Sequence, residues 1–205
     1  IAGAALFYAL ERNGVLAELG VKDRVLVSLF QSVTTRTAGF NSCNIGALSS
    51  AALMLFIILM FIGASPGSTG GGIKTTTVAV LWAAVASGLR KEPHAQLYRR
   101  TIPLEVIQKA ASVLVISLIV VLAFALALLA FEPKNFRDLL FETVSAFGTV
   151  GLSTGITGDL TPPGKITITL LMFAGRLGPL TIAYAFLRAR KPAHYRYAEE
   201  RVMIG

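Results

Sequence analysis

Charge is scarce in this sequence. Asp, Glu, Lys and Arg make up 15% of its 205 residues against 54% hydrophobic ones, and the mean hydropathy is +0.68. A soluble domain keeps its surface in water with about 25% charged residues, so the expected solvent here is lipid. Cysteine is scarcer still. Cys43 stands alone, which excludes an intrachain disulfide and any cysteine-based metal site, and it is given no role. The two histidines, His94 and His194, lie in basic polar stretches with no second ligand at useful spacing, so both are expected to be solvated. No catalytic residues and no organic cofactor are expected, and the chain reads as a non-enzyme. No cleavable signal peptide is visible in these residues. The chain opens in a ten-residue apolar stretch, Ile1 to Leu10, too short to span a bilayer and expected to be a helix entered midway.

What is present is apolar length. Ala110 to Phe131 runs for twenty-two residues without a charge, which as a helix reaches about 33 Å and crosses a hydrocarbon core of roughly 30 Å. The net charge of +8 is unevenly spread. Arg90, Lys91, Arg99, Arg100 and Lys109 collect in one segment between apolar runs, and Arg188, Arg190, Lys191, Arg196 and Arg201 in a second after the last. Only Glu92, Glu105, Glu199 and Glu200 oppose them. In the alternate loops Arg12, Lys22, Arg24, Lys134, Arg137 and Lys165 are balanced by Glu11, Glu18, Asp23, Glu132, Asp138 and Asp159. The positive-inside rule therefore places the loop 89–109 and the C-terminus in the cytoplasm, and the pattern argues against a nucleic-acid partner.

Sliding the chain against itself exposes a repeat. Leu29 to Arg36 falls on Leu140 to Phe147, and after one extra residue, Gly148, Thr37-Ala38-Gly39-Phe40 falls on Thr149-Val150-Gly151-Leu152. The repeating unit is helix, short amphipathic segment, glycine strand, helix. Its pieces are expected at Ile1 to Leu10, Asp23 to Arg36, Thr37 to Phe40 and Ala47 to Leu89, then at Ile102 to Phe131, Asn135 to Phe147, Gly148 to Leu152 and Thr161 to Leu187, with Asn135 as a helix N-cap. The segment before each glycine strand is too short to cross a membrane and fits a re-entrant pore helix. The expected class is an all-α polytopic membrane protein of two helix, pore-helix, helix repeats.

Non-helical backbone at membrane depth is tolerated only where it is buried in protein or lines a watery path. Strands around an axis can aim carbonyls at a dehydrated cation, glycine permits the positive φ values this requires, and a preceding threonine can add a hydroxyl ligand. Thr149-Val150-Gly151 matches the start of the potassium-channel filter sequence but lacks its Tyr-Gly ending. Two such strands in register, each behind the same short helix, imply a cation pore. Helix C-terminal ends aimed at its cavity would favour a cation.

A second irregular stretch, Gly63 to Thr77, interrupts the apolar run after Ile62 with Ser65, Pro66, Gly67, Ser68, Thr69, Gly70, Gly71, Gly72 and Lys74. Proline and clustered glycines unwind a helix, so a loop held inside the protein is expected, and a mobile loop below a filter is a gate. The competing reading is phosphate binding, because Gly67 to Thr75 nearly spells G-x-x-x-x-G-K-[ST]. Ile73 breaks that pattern, and no strand precedes it. Of the charges within apolar sequence, Arg176 must face protein or water, either pairing with loop carbonyls or acting as a barrier beside the Gly-rich loop. Lys74 sits nearer the cytoplasmic end, where snorkelling suffices. Arg36 is expected to brace filter or pore-helix carbonyls, and Glu142 to serve as a pore-mouth charge or a hydrogen-bond partner.

The stretches FQSVTTRTAGFN (30–41), ASPGSTGGGIKTTT (64–77), FETVSAFGTVGLSTG (141–155) and FAGRLGPLT (173–181) resemble the Trk/Ktr/HKT superfamily of potassium transporters, and the ending Tyr197 to Gly205 is most like the Ktr translocating subunit. The resemblance implies half of a four-repeat, pseudo-fourfold pore. Residues 1–100 would be the third repeat with its first helix truncated, and 101–205 the fourth with a cytoplasmic tail. It implies filter strands at Thr37 to Phe40 and Thr149 to Leu152, a gating loop at Gly63 to Thr77, and Arg176 as the cavity arginine. It further implies transported K+ at filter carbonyls, Na+ as an activator in many members, a homodimer on a cytosolic nucleotide-binding regulatory ring, and a plasma-membrane location. Other classes left open are an ATP-driven or a secondary transporter of another solute.

Overall fold

The computed structural model describes residues 1–92 and 94–178; the second basic segment, His194 and the end of the last apolar run lie outside the described residues. Within them the chain forms seven α-helices: α1 (Ala2–Glu11), α2 (Val21–Thr34), α3 (Ser50–Phe61), α4 (Thr75–Leu89), α5 (Leu104–Phe131), α6 (Phe136–Phe147) and α7 (Pro162–Leu177). The starts follow local chemistry. Ser49 caps α3 by accepting the Ala52 N–H at 3.2 Å, and Thr161 caps α7 ahead of Pro162 at the first helical position. Asn135 holds the N-cap position of α6 as expected, but its side chain makes no capping bond; Asp138 in the first turn meets the helix dipole instead.

Length and burial separate the helices by environment. α5 has 28 residues and is the one described helix long and apolar enough to span a bilayer, yet only 22% of its most apolar window is buried. The core helix of a soluble protein would be mostly covered, whereas Ile119, Leu122 and Leu126 stand bare here and call for an apolar surrounding. α2 and α6 are short, and α6 is buried along nearly its whole length.

Packing repeats twice. α1 lies against α2 and α3, as α5 lies against α6 and α7. The two groups join where α3 crosses onto α6 and where α4 runs along α5. Phe7 and Phe56 meet with ring centroids 5.1 Å apart, Phe61 and Phe147 at 5.9 Å, and Leu53, Met60, Leu139, Phe141 and Leu171 close the space between them. In lipid such contacts stabilise by dispersion and fit, since the tails outside are equally apolar.

A buried carboxylate ties each group internally, a feature hidden in sequence because both fall in stretches that read as polar loop. Glu11, at the end of α1, accepts the N–H of Ser49 at 2.9 Å, which is the N-cap residue of α3. Glu132, just past α5, accepts the N–H of Thr161 at 2.8 Å and its hydroxyl at 2.6 Å, the N-cap residue of α7. Each acid sits at the positive end of the helix it holds.

One element departs from the all-α expectation. Gln96–Leu97 (β1) and Arg100–Thr101 (β2) pair as a two-residue antiparallel ribbon within the basic loop. Tyr98 and Arg99 both have positive φ, 49° and 63°, the requirement of a two-residue hairpin turn. Without Asn or Gly there, no turn signal marks the site.

Replacing Glu132 by Ala leaves the Thr161 N–H and hydroxyl without their acceptor and is expected to cost about 1–3 kcal/mol. The drop should be visible in the thermal unfolding midpoint of the detergent-solubilised protein, with a smaller loss for Glu132→Gln. Equal midpoints for Glu132→Ala and the parent would contradict the clamp.

Candidate functional site

Both glycine segments leave the C-terminal end of a short helix by the same route. After α2, the N–H of Ala38 bonds to the carbonyl of Thr34 at 3.2 Å; after α6, the N–H of Val150 bonds to that of Ser145 at 2.9 Å. At the far end, the Thr34 hydroxyl donates to the Phe40 carbonyl at 2.5 Å and the Ser145 hydroxyl to the Leu152 carbonyl at 2.6 Å. Thr34 and Ser145 occupy matching positions in the sequence alignment of the two halves. A helix hydroxyl and a helix carbonyl thus pin the two ends of each segment.

Between the pins the backbone alternates in hand. Thr37 and Gly39 have φ of 73° and 77° while Ala38 is negative; Thr149 and Gly151 have 51° and 92° while Val150 is negative. A left-handed threonine costs on the order of 1–3 kcal/mol and persists only where its surroundings over-determine it. The segments also abut. A Cβ on Gly39 would collide with the Val150 carbonyl oxygen, and one on Gly151 would sit 3.6 Å from the Gly39 Cα. Gly39 is therefore required twice, by φ and by space, and Gly151 by φ.

The chain beyond each segment is held by the same helix. Glu142 on α6 accepts from the Ser153 hydroxyl at 2.5 Å, the Thr154 N–H at 3.0 Å and the Thr157 hydroxyl at 2.7 Å. The matching residue on α2 is Gln31, whose amide donates to Ser42 at 3.3 Å and to the Cys43 sulfur at 3.1 Å. Of its two expected roles, Glu142 takes that of hydrogen-bond partner.

The Gly-rich stretch unwinds between α3 and α4, from Ile62 to Lys74; Thr75 to Thr77 belong to the first turn of α4. A single parallel bridge between Ile62 and Ile73 closes its neck, with the Ile73 N–H on the Phe61 carbonyl at 3.0 Å. Its returning limb, just before the neck, reaches both glycine segments at their threonines. The Gly71 N–H donates to Thr149 Oγ1 at 2.9 Å, and Gly70 packs on the Thr37 side chain. A Cβ on Gly71 would lie 2.8 Å from the Phe147 carbonyl oxygen, so the loop approaches the end of α6 backbone to backbone.

Two cations hold this loop, and both differ from expectation. Arg36 donates to the carbonyls of Ile62 and Gly63, the latter at 2.9 Å, so it braces the neck of the loop and not the glycine segment beside it. These carbonyls lack helical partners, which draws the guanidinium to them. Lys74 does not snorkel outward. Its ammonium turns back to the carbonyls of Gly70 at 2.5 Å and Ser68 at 3.1 Å, leaving it committed to its own loop. Arg176 lies exposed in the last turn of α7, and no hydrogen-bond partner for it occurs among the described residues.

The structure thus brings together Thr37, Gly39, Thr149, Gly151, Gly70, Gly71, Arg36 and Lys74. Sequence reasoning missed Thr34, Ser145, Gln31 and Glu11. The alignment of the two halves holds the signal for the first three, since each polar residue on one short helix meets a polar residue at the same position on the other.

The profile of the TrkH family, described as cation transport protein, matches residues 3–194. The chain is 42% identical over 192 residues to Ktr system potassium uptake protein B of Bacillus subtilis, covering 94% of this chain and 43% of that protein. It is 38% identical to the protein of the same name from Vibrio alginolyticus, covering 100% and 45%, and 39% identical to the potassium/sodium uptake protein NtpJ of Enterococcus hirae, covering 100% and 47%. The chain therefore spans about half the length of these curated relatives. The crystal structure of the potassium transporter TrkH from Vibrio parahaemolyticus superposes with a TM-score of 0.78 over 91% of this chain and 42% of that one, at 20% identity, a likeness of fold. On the family match and the close relatives together, this chain belongs to the TrkH family of cation transport proteins.

Proposed function

We propose that this chain supplies two adjacent quadrants of a potassium pathway across the plasma membrane. The observation that carries the reading is the duplicated geometry of the glycine segments, pinned at both ends by matching hydroxyls and carbonyls. Alternating φ turns successive peptide planes so that their carbonyls share one side, unlike the alternating sides of a β-strand. That side is the filter wall, in which carbonyls within Thr37 to Phe40 and Thr149 to Leu152 replace the hydration shell of K+ while those of Phe40 and Leu152 are held by the helix hydroxyls behind. α2 and α6 are the pore helices.

Residues 62–74 form the gate. The Gly71 N–H occupies an oxygen of Thr149 that would otherwise be free to face an ion. Closing the path therefore needs no bulky plug: the loop takes the ligand and fills the space beneath it. Arg36 holds the neck and Lys74 the tip. Arg176, one residue beyond Gly175 where α7 touches the Phe147 carbonyl, is the cavity charge near this gate. The phosphate-binding alternative is disfavoured by Lys74, whose donors serve its own loop.

The remaining quadrants belong to the part of the relatives' length that this chain does not span. The name of the Enterococcus hirae protein supports including Na+, as co-substrate or activator. The word system in the Ktr names supports further subunits, for which a homodimer on a cytosolic nucleotide-binding ring is the proposed form. The basic loop 89–109, placed in the cytoplasm with the C-terminus, is the proposed docking side.

Rubidium uptake by the full-length protein in potassium-uptake-deficient cells tests both parts. Gly39→Ala should abolish uptake and Gly151→Ala should lower potassium-over-sodium preference; unchanged uptake and preference in both would remove the filter assignment. Arg36→Gln or Lys74→Ala removes loop bonds worth about 1.5 kcal/mol, so flux should rise by about tenfold where the gate limits it. Loss of flux with Lys74→Ala, together with nucleotide binding by the parent, would favour the phosphate-binding reading instead.

A further inference from the structure

A cavity of about 540 Å³ lies between α3, α4, α5 and α6, and every side chain lining it is hydrophobic. Its walls include Trp82 and Val85 on α4 and Leu114 and Leu118 on α5. Its lining also includes Ile62 and Ile73, the bridged pair at the neck of the Gly-rich loop. This volume falls within the range of small-molecule sites, and an apolar cavity of this kind does not hold ordered water.

The same two helices carry a cluster of positive charge at one end. Arg90 and Lys91 follow α4, Arg99 and Arg100 lie on the ribbon, and Lys109 is in the second turn of α5, five positive groups against Glu92 and Glu105 in the same stretch; all are exposed. Val85 and Leu114 are each five residues from this cluster, at Arg90 and Lys109 respectively, which is about 7.5 Å along a helix. Basic groups one and a half turns from a dry slot that opens between two lipid-facing helices match one occupant: a phospholipid with an anionic headgroup.

The geometry points to a bound anionic phospholipid, its headgroup phosphate on Arg90, Lys91 and Lys109 and one acyl chain in the α4–α5 cavity against Ile62 and Ile73. The chain stiffens the neck from outside while Arg36 holds it from within. This regulation rests on the loop being the gate, but the binding site itself does not.

Native mass spectrometry of the full-length protein from mixed phosphatidylglycerol and phosphatidylcholine nanodiscs tests the site independently of transport. The parent should retain phosphatidylglycerol in preference, because each basic group near an anionic headgroup is worth about a fivefold gain. The Arg90→Gln, Lys91→Gln, Lys109→Gln triple variant, altered only at exposed positions, should lose the preference while still retaining neutral lipid. Leu118→Trp, which fills the space of at least two methylenes, should lower retention of both lipids by about tenfold. Inorganic phosphate should not displace the lipid; displacement would assign the basic cluster to a free anion. Equal retention of the two lipids by the parent, or no retained lipid at all, would overturn the proposal, the latter meaning that protein covers the cavity. If binding follows the expected pattern and rubidium flux ignores it, the site stands and its control of the loop falls.

Discussion

A backbone group that leaves a helix inside a membrane has no water to bond with, and this constraint organises the whole structure. Three stretches leave helices within the fold, the two glycine segments and the Gly-rich loop, and each meets groups that bond its backbone. Thr34 and Ser145 take the ends of the segments, Gln31 and Glu142 the chain beyond them, and Arg36 and Lys74 the loop. The irregular parts then satisfy one another, through the bond from Gly71 to Thr149 and the contact of Gly39 with Val150.

The regular parts serve that arrangement. α6 is short and packed among α3, α5 and α7, whereas α2 is short and rests on α1 with its other apolar face bare. Glu11 and Glu132 fix where α3 and α7 begin, and so set the depth at which α3 gives way to the loop and α7 presents Gly175 to the Phe147 carbonyl. A buried carboxylate is costly without partners, and these meet helix N-termini that supply them.

Much of this was legible in the sequence because it depends on features that leave marks. Hydropathy located α5, the clustered glycines located the break, and the register between Leu29 and Leu140 brought out the paired segments. What stayed hidden depends on where side chains turn. Arg36 adjoins Thr37 in sequence, yet the carbonyls that need a donor are at Ile62 and Gly63, distant along the chain. Lys74 reads as an outward-reaching lysine until the loop curls beneath it. Glu11 and Glu132 look like loop acids because composition cannot reveal which helix end lies opposite. The Tyr98–Arg99 turn lacks the residues that usually announce one.

The central claim is that Thr37 to Phe40 and Thr149 to Leu152 line the ion path. It is tested most directly by anomalous diffraction from crystals of the full-length protein grown in rubidium. The account predicts rubidium peaks on the axis bounded by these two segments, level with the carbonyls between Thr37 and Gly39 and between Thr149 and Gly151. Peaks elsewhere in the protein, with none between the glycine segments, would contradict it.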